Sequence, residues 1–533
     1  MRLFLLFCIG FSLLATFSFS QTEKEGLTHF LERKKQTLSP KEHALVYSFY
    51  EERNFQLIWI TDTQPNQLAF DLKESIAQIR FDGLNPEEYE LSEIDRLFQQ
   101  FLDRKTPPNQ KDLLELEGLL TLSFYRLIDH LKFGKVDPAE LSGIWDLKKQ
   151  REPAVILDFL KRVTGFWYLS NLLEEARPSL SAYAAGRKTM MELELELLHA
   201  AEEWDEIRLD KVLKLGDRHP KVPLIDQRLR KLGFGFYSWL DSIPDLYDSS
   251  MWQAVRRLQV DFGLEDDGII GKNTLTALNA SPKTKMQQLA VNLERMRWIP
   301  EGMLEGEKVL VNIPDFKMAY LDGADTLFSS DVIVGTVRNK TPIFSAELSH
   351  LIFSPYWNVP NSITRNEIVP AVRRDPSYLT RNRMEIISAG RVVNPSAVDW
   401  NSRSFPYWIR QQPGPHNSLG LVKFMFPNSH HIYLHDTPAK QLFFRQNRAF
   451  SHGCIRMKKP LEFALFLLRE QPEWTEEKVR TAMTQTVETE VRLSQKIPVW
   501  IMYFTYWSDD QGKALFKNDI YGLDEQLWQK LQE

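Results

Sequence analysis

A chain of 533 residues is longer than a single core of about 250–300 residues readily supports, so several domains are expected. A hydrophobic share of 43% and a charged share of 26% describe an ordinary soluble globular chain. The net charge of −5 offers no basic face for nucleic acid, and no polybasic tail marks a membrane-binding segment.

The first twenty residues, MRLFLLFCIGFSLLATFSFS, have a short positive start at Arg2 and an apolar run from Leu3 to about Phe19. Ser18 and Ser20 are small residues spaced for cleavage before Gln21. This is the pattern of a secretory signal peptide over 1–20, with an uncleaved membrane anchor as the rival reading. Export to the periplasm or cell envelope is therefore expected. Removal of the leader takes Cys8 with it, and Cys454 remains as a lone thiol that no intramolecular disulfide can use. In an oxidising compartment such a thiol is either buried or used.

From 21 to 213 the leucines recur three and four apart, as in LLELEGLLTLSFYRLIDHLKFG, which predicts amphipathic helices. The carboxylates of this region read as solvated helix faces. A small unit occupies 214–283. One predicted helix carries Leu224, Ile225, Leu229 and Leu232, and another carries Trp252, Val255, Leu258 and Phe262, with Ser249 or Ser250 as its cap. The acidic turn in EDDGIIGKNTLTALN is too short and too poor in ligand oxygens for a calcium loop. The stretch 284–308 links this unit to a β-rich region over 309–509, seen in VLVNIPDFKMAYL, SSDVIVGTV, LIFSPYWNV, HHIYLH and IPVWIMYFTYWS. An insertion over 360–419 interrupts it, either a lid or a surface elaboration, and 510–533 form a C-terminal segment.

Chemistry concentrates near SHGCIRM. IYLHDT reads as a strand ending at His435, with His431, Tyr433 and His435 on one face. A loop returning from that strand can bring Cys454 beside His435, and a cysteine nucleophile needs such a base because the thiolate is the reactive form. Gly453 permits a sharp turn, and the amides near Cys454 can face the oxygen of a tetrahedral intermediate. Arg456 is a fixed cation able to orient the loop or a substrate carboxylate. His435, His452 and Cys454 are also three potential zinc ligands, but a fourth is not evident and H-x-C is an unusual spacing for zinc. No metal or other cofactor is expected.

The H…[ST]-H-G-C-x-[RN] pattern resembles the catalytic domain of the L,D-transpeptidase family. VIVGTVRNKTPIFS and FSPYWNVP are similar to its earlier strands, and FYEERNFQLIWI, IRFDGLNPEEY and GKVDPAELSGIW resemble the amino-terminal scaffold of its large members. LRKLGF…AVRRLQVDFGLEDDGIIGKNTLTALN is similar to a peptidoglycan-binding domain. The resemblance implies a multidomain α+β fold: a helical scaffold, a three-helix wall-binding or spacer unit, and a β-rich catalytic domain whose insertion caps the substrate. It implies Cys454 as nucleophile and His435 as proton acceptor and donor. The ring would be oriented by the backbone carbonyl of Asp436, or instead by its carboxylate. Ser451 would tie the loop, and His452 would serve structure or substrate contact rather than as a second base. His430 and His431 are expected at the strand end or surface, and His416 at the lid base. The implied reaction joins peptidoglycan stem peptides through a thioester and releases a terminal D-amino acid. The alternatives are an L,D-carboxypeptidase and a catalytically silent wall-binding protein. Carbapenem-type inhibitors are expected to acylate Cys454.

Overall fold

The computed structural model describes residues 21–533 apart from 37, 103–108, 142, 148, 166–167, 200–203, 236–243, 403–404 and 510. The expected signal peptide, 1–20, lies outside the described residues. Among the described residues no helix is long and apolar enough to cross a membrane.

The N-terminal region is helical and organised around α1 (Gln110–Phe133), which is buried along most of its length. Asn109 caps it by accepting a hydrogen bond from the Asp112 amide at 2.8 Å, and it stops at Gly134. Its neighbours share one apolar core running from Leu27 to Ala176. Helix α2 (Ser181–His199) comes next and packs toward the C-terminal half. Three further helices, α3 (Val222–Lys231), α4 (Ser249–Asp261) and α5 (Lys272–Leu278), enclose a second small core of Val222, Ile225, Leu229, Val255, Leu258 and Leu278. The cap of α4 is Asp248, whose carboxylate accepts from the Met251 amide at 2.9 Å. Ser249 and Ser250, expected in that role, lie in the first turn instead. A carboxylate one position earlier reaches the free amides and suits the positive end of the helix.

Helix α6 (Pro282–Arg297) is buried from Leu289 to Arg297 and joins the helical half to a β-barrel. The barrel strands are β2 (Glu307–Asn312), β3 (Lys317–Asp322), β4 (Asp325–Gly335), β5 (Ile343–Phe353), β6 (Val422–Met425), β7 (Leu434–His435), β8 (Ala449–Ser451), β9 (Ile455–Met457) and β10 (Thr489–Met502). Their order is β6-β7-β9-β4-β3-β2-β10-β5, and the sheet closes because β6 also pairs with β5; β8 pairs with β4. A short strand from the helical half, β1 (Trp145–Asp146), adds in parallel beside β5, with Trp145 opposite Ile343. The interior is filled by Val309, Val311, Val332, Val334, Leu351, Phe424, Leu434, Ile455 and Val499, all essentially fully buried.

The segment between β5 and β6 forms its own four-stranded sheet over a separate small core that includes Ile363, Ile368, Val372, Ile386 and Ile409.

The expectation that acidic residues of the helical region are all solvated is wrong at Asp82 and Glu117, which are fully buried. Asp82 accepts from Arg177 Nε and Nη2, both at 2.9 Å, from the Tyr183 hydroxyl at 2.8 Å, and pairs with Arg187 at 3.1 Å. Arg297 donates to the Asp82 carbonyl, to Glu294 at 2.5 Å and to the Tyr183 hydroxyl at 3.1 Å. Burial alone would raise the Asp82 carboxyl, but the guanidinium groups outweigh it and hold its pKa below the ordinary value. This cluster fastens the helical region to α2 and α6.

Candidate active site

Strands β7 and β9 run parallel, with Leu434 opposite Ile455 and His435 opposite Arg456. Because side chains alternate, Leu434 and Ile455 enter the barrel core, while Tyr433, His435, Cys454 and Arg456 belong to the other side of the pair. Cys454, just before β9, is therefore a diagonal neighbour of His435.

His435 is 4% exposed, and its Nδ1 faces the Asp436 carbonyl oxygen at 2.5 Å. This contact gives the Nδ1 proton to the Asp436 carbonyl, and the Leu419 backbone also meets the ring. The Asp436 carboxylate looks elsewhere: Oδ2 accepts from the Leu421 amide at 2.9 Å and Oδ1 from Lys440 Nζ at 2.5 Å. Of the two orienting groups open to sequence reasoning, the structure thus places the carbonyl against the ring. Gly420, at φ +63°, lets that carboxylate seat, because a Cβ there would lie 2.3 Å from Asp436 Oδ2.

The expected face of three aromatic side chains is not fully formed. The strand begins only at Leu434, and His431 sits in a turn at φ +56°. The cause is Asn428, whose side chain accepts from the His430 and Ile432 amides and donates to the Ile432 carbonyl. The Cys454 thiol donates to the His431 carbonyl, 3.8 Å from Sγ. Tyr433 lies edge-on to His435, ring centroids 5.7 Å apart, and its hydroxyl also meets the thiol.

Neither reacting group is charged at rest. Burial, and then the Arg456 cation, push the His435 ring down to about 3. Burial pushes the Cys454 thiol up, against the smaller opposing pull of Tyr433 and Arg456. Burial thus favours the neutral pair, and the thiolate has to be formed by proton transfer to a base. The low-polarity pocket disfavours both ions, and the thiol is hydrogen-bonded to the His431 carbonyl rather than to imidazole. Arg456 presses on both groups, and its Nε is buried with no partner among the described residues.

The nucleophile loop is tied tightly. The Ser451 hydroxyl donates to the Cys454 carbonyl at 2.5 Å and accepts from the Gly453 amide at 3.1 Å. Gly453 has φ +118°, a conformation that favours glycine. His452 points outward, its Nε2 2.6 Å from Glu367 Oε1 in the inserted segment. It does not converge with His435 and Cys454 on a common point. His430 Nε2 meets Asp146 of β1 at 3.0 Å, and His416 is exposed at the base of the insertion, where its carbonyl accepts from Gln411. Two contributors escaped the sequence reading. Thr341 is fully buried and donates to the Gly453 carbonyl at 2.8 Å, and Tyr521 holds the Thr341 amide at 3.1 Å.

The site lies within a stretch of the chain that matches a known family. Residues 306–491 match the family described as "L,D-transpeptidase catalytic domain". The chain carries an L,D-transpeptidase catalytic domain. Ahead of it, residues 44–190 match a "Scaffold domain" and 218–278 a "Putative peptidoglycan binding domain". A "Putative L,D-transpeptidase" of Haemophilus influenzae is 38% identical over 244 residues, covering 45% of this chain and 49% of that protein. The chain thus spans about half the length of this curated relative. The crystal structure of an L,D-transpeptidase from Xylanimonas cellulosilytica is 14% identical, with 56% of this chain and 100% of that one covered at a TM-score of 0.18. One from Stackebrandtia nassauensis is 12% identical, with 54% and 94% covered at a TM-score of 0.20. At those scores neither superposition bears on the site. An L,D-transpeptidase domain beside a peptidoglycan-binding region implies work in the cell envelope.

Proposed function

We propose that this protein cross-links peptidoglycan stem peptides, with Cys454 as nucleophile and His435 as the proton carrier. The supporting observation is the His435 ring, fixed through Nδ1 by the Asp436 carbonyl on the same side of the β7–β9 pair as Cys454. A neutral ring is the form that can accept a proton, and its low pKa keeps it neutral at every physiological pH. The donor's carboxylate docks on Arg456, whose orphaned Nε suits it. Docking offsets the Arg456 cation, the second cause after burial of the ring's low basicity, and so shifts His435 toward taking the thiol proton. Catalytic contacts that are loose in the free enzyme commonly tighten in this way.

The thiolate then attacks the carbonyl carbon of the third stem residue. The C–N bond to the terminal D-residue breaks, and the leaving nitrogen takes the proton from His435. A thioester remains. The amine of a second stem attacks it, His435 accepts the amine's proton, and the C–S bond breaks to return the sulfur. The peptide-bond energy is held in the thioester, so the scheme needs no nucleotide. The 360–419 insertion caps the bound donor, and the 218–278 region holds or spaces the enzyme against the wall. Residues 1–20 direct export to the periplasm. Incubation with tetrapeptide muropeptides, then mass spectrometry, tests the reading. Cross-linked dimers and a Cys454 thioester are expected. Tripeptide monomers alone would mean an L,D-carboxypeptidase, and an unmodified Cys454 with unchanged muropeptides would refute both.

A further inference from the structure

The groups that flank the Cys454 N–H in the nucleophile loop are hydrogen-bonded. The Gly453 N–H goes to Ser451 Oγ, the Cys454 carbonyl accepts from the same hydroxyl, and the Gly453 carbonyl accepts from Thr341 Oγ1. The Cys454 N–H has no acceptor among the described residues. In a planar trans peptide the C=O and N–H of one unit point in opposite directions. With the Gly453 carbonyl held at 2.8 Å by a fully buried hydroxyl, the Cys454 N–H must project the other way, out of the packed loop.

Thr341 is itself held on three sides. Its Oγ1 accepts from the Gly335 amide at 2.9 Å at the end of β4. Its amide donates to the Tyr521 hydroxyl at 3.1 Å, and that hydroxyl donates to the Gly335 carbonyl at 2.8 Å. Tyr521 is 4% exposed, stacks on Tyr503 with ring centroids 5.5 Å apart, and donates its own amide to the Tyr503 hydroxyl at 2.8 Å. A buried chain of contacts thus runs from the C-terminal segment, through the β4–β5 loop, to one peptide group of the nucleophile loop.

We propose that Thr341, backed by Tyr521, is a positioning residue that locks the Gly453–Cys454 peptide so that the Cys454 N–H is preset as an oxyanion donor. The inference rests on the acyl-transfer reading above. Without the lock, Gly453 has the freedom to rotate the peptide, and the donor loses its aim.

Alkylation separates this role from a general effect on the fold or on the thiol. Iodoacetamide reacts with Cys454 by displacement at an sp3 carbon and makes no oxyanion, whereas meropenem passes through a tetrahedral one. Both rates are measured by mass spectrometry on the full chain carrying Thr341→Val, Thr341→Ser or Tyr521→Phe. Thr341→Val is expected to slow meropenem acylation at least tenfold while changing alkylation less than twofold. Thr341→Ser, which keeps the hydroxyl, is expected to stay within about threefold of wild type. Tyr521→Phe loses the prop but not the hydroxyl, and about a threefold loss confined to acylation is expected. It decides the matter if Thr341→Val does not fold. Equal slowing of both reactions, or acylation unchanged in every variant, overturns the proposal. Wild-type protein that is alkylated but never acylated refutes the acyl-transfer reading, and the brace falls with it.

Discussion

Around Asp82 every buried charge meets its opposite, whereas around Cys454 the buried ionisable groups are left uncompensated. Arg177, Arg187 and Arg297 surround the first, and the Asp82 carboxyl is held low and ionised. In the second, imidazole and thiol are both neutral, and an arginine nitrogen lacks a partner. An arginine Nε without a hydrogen bond occurs in both places, at Arg187 and at Arg456, so the difference lies in charge: paired ions at Asp82, neutral groups at Cys454. The first cluster is part of what makes the chain one body. The second keeps its two titratable groups uncharged beside a half-buried cation.

Substitutions should separate the two clusters cleanly. Cys454→Ala should abolish thioester formation altogether, with urea stability within about 0.5 kcal/mol of wild type; a residual acyl-enzyme would move the nucleophile elsewhere. Asp82→Ala should do the reverse. It leaves guanidinium groups buried without their anion and should cost about 3–5 kcal/mol by urea unfolding. A loss under 1 kcal/mol would show that the arginines find other partners. His435→Gln should slow acylation by about 10²–10⁴, which rapid-quench mass spectrometry would resolve.

The same variant carries a pH signature. The folded ring resists protonation until about pH 3, while the unfolded one protonates near 6.5. His435 therefore contributes stability that is fully present above about 6.5 and is lost as pH falls toward 3. Urea midpoints should drop less between pH 7 and pH 5 in His435→Gln than in wild type, and parallel curves would contradict the buried neutral ring. Asp82, held low, adds its own loss only further down, in the carboxylate range. The smallest expected effect is that of Arg456→Gln. About a tenfold rise in the KM for a stem peptide with a free carboxylate should nearly vanish for the amidated peptide.

Much of the site was legible because its parts lie close in sequence: Cys454, Ser451 and Gly453 in one loop, with His435 on the strand before it. The choice between the Asp436 carbonyl and carboxylate was not, since a backbone group leaves no mark on residue type. Nor was the turn at His431, which depends on Asn428 gathering three backbone groups. Thr341 and Tyr521 were invisible for a different reason. They reach the loop and each other across 112 and 180 positions, and one threonine among strand residues carries no signal of its partner. Asp82 looked like any other acidic residue of a helical region until the fold brought arginines from two other helices around it. The helical, small-core and β-rich character of the regions was readable throughout, because apolar spacing is a local property.

Strand β10 runs from Thr489 to Met502 and bridges β5 on one side and β2 on the other, yet the family match stops at residue 491. A recombinant fragment trimmed to that match would lose most of one stave. The cylinder would gape, with two raw edges offering unpaired amides and carbonyls to any neighbouring chain. Such a fragment should precipitate rather than report on catalysis, so a minimal soluble version of this protein has to be cut by its hydrogen-bonded ladders and not by its sequence signature.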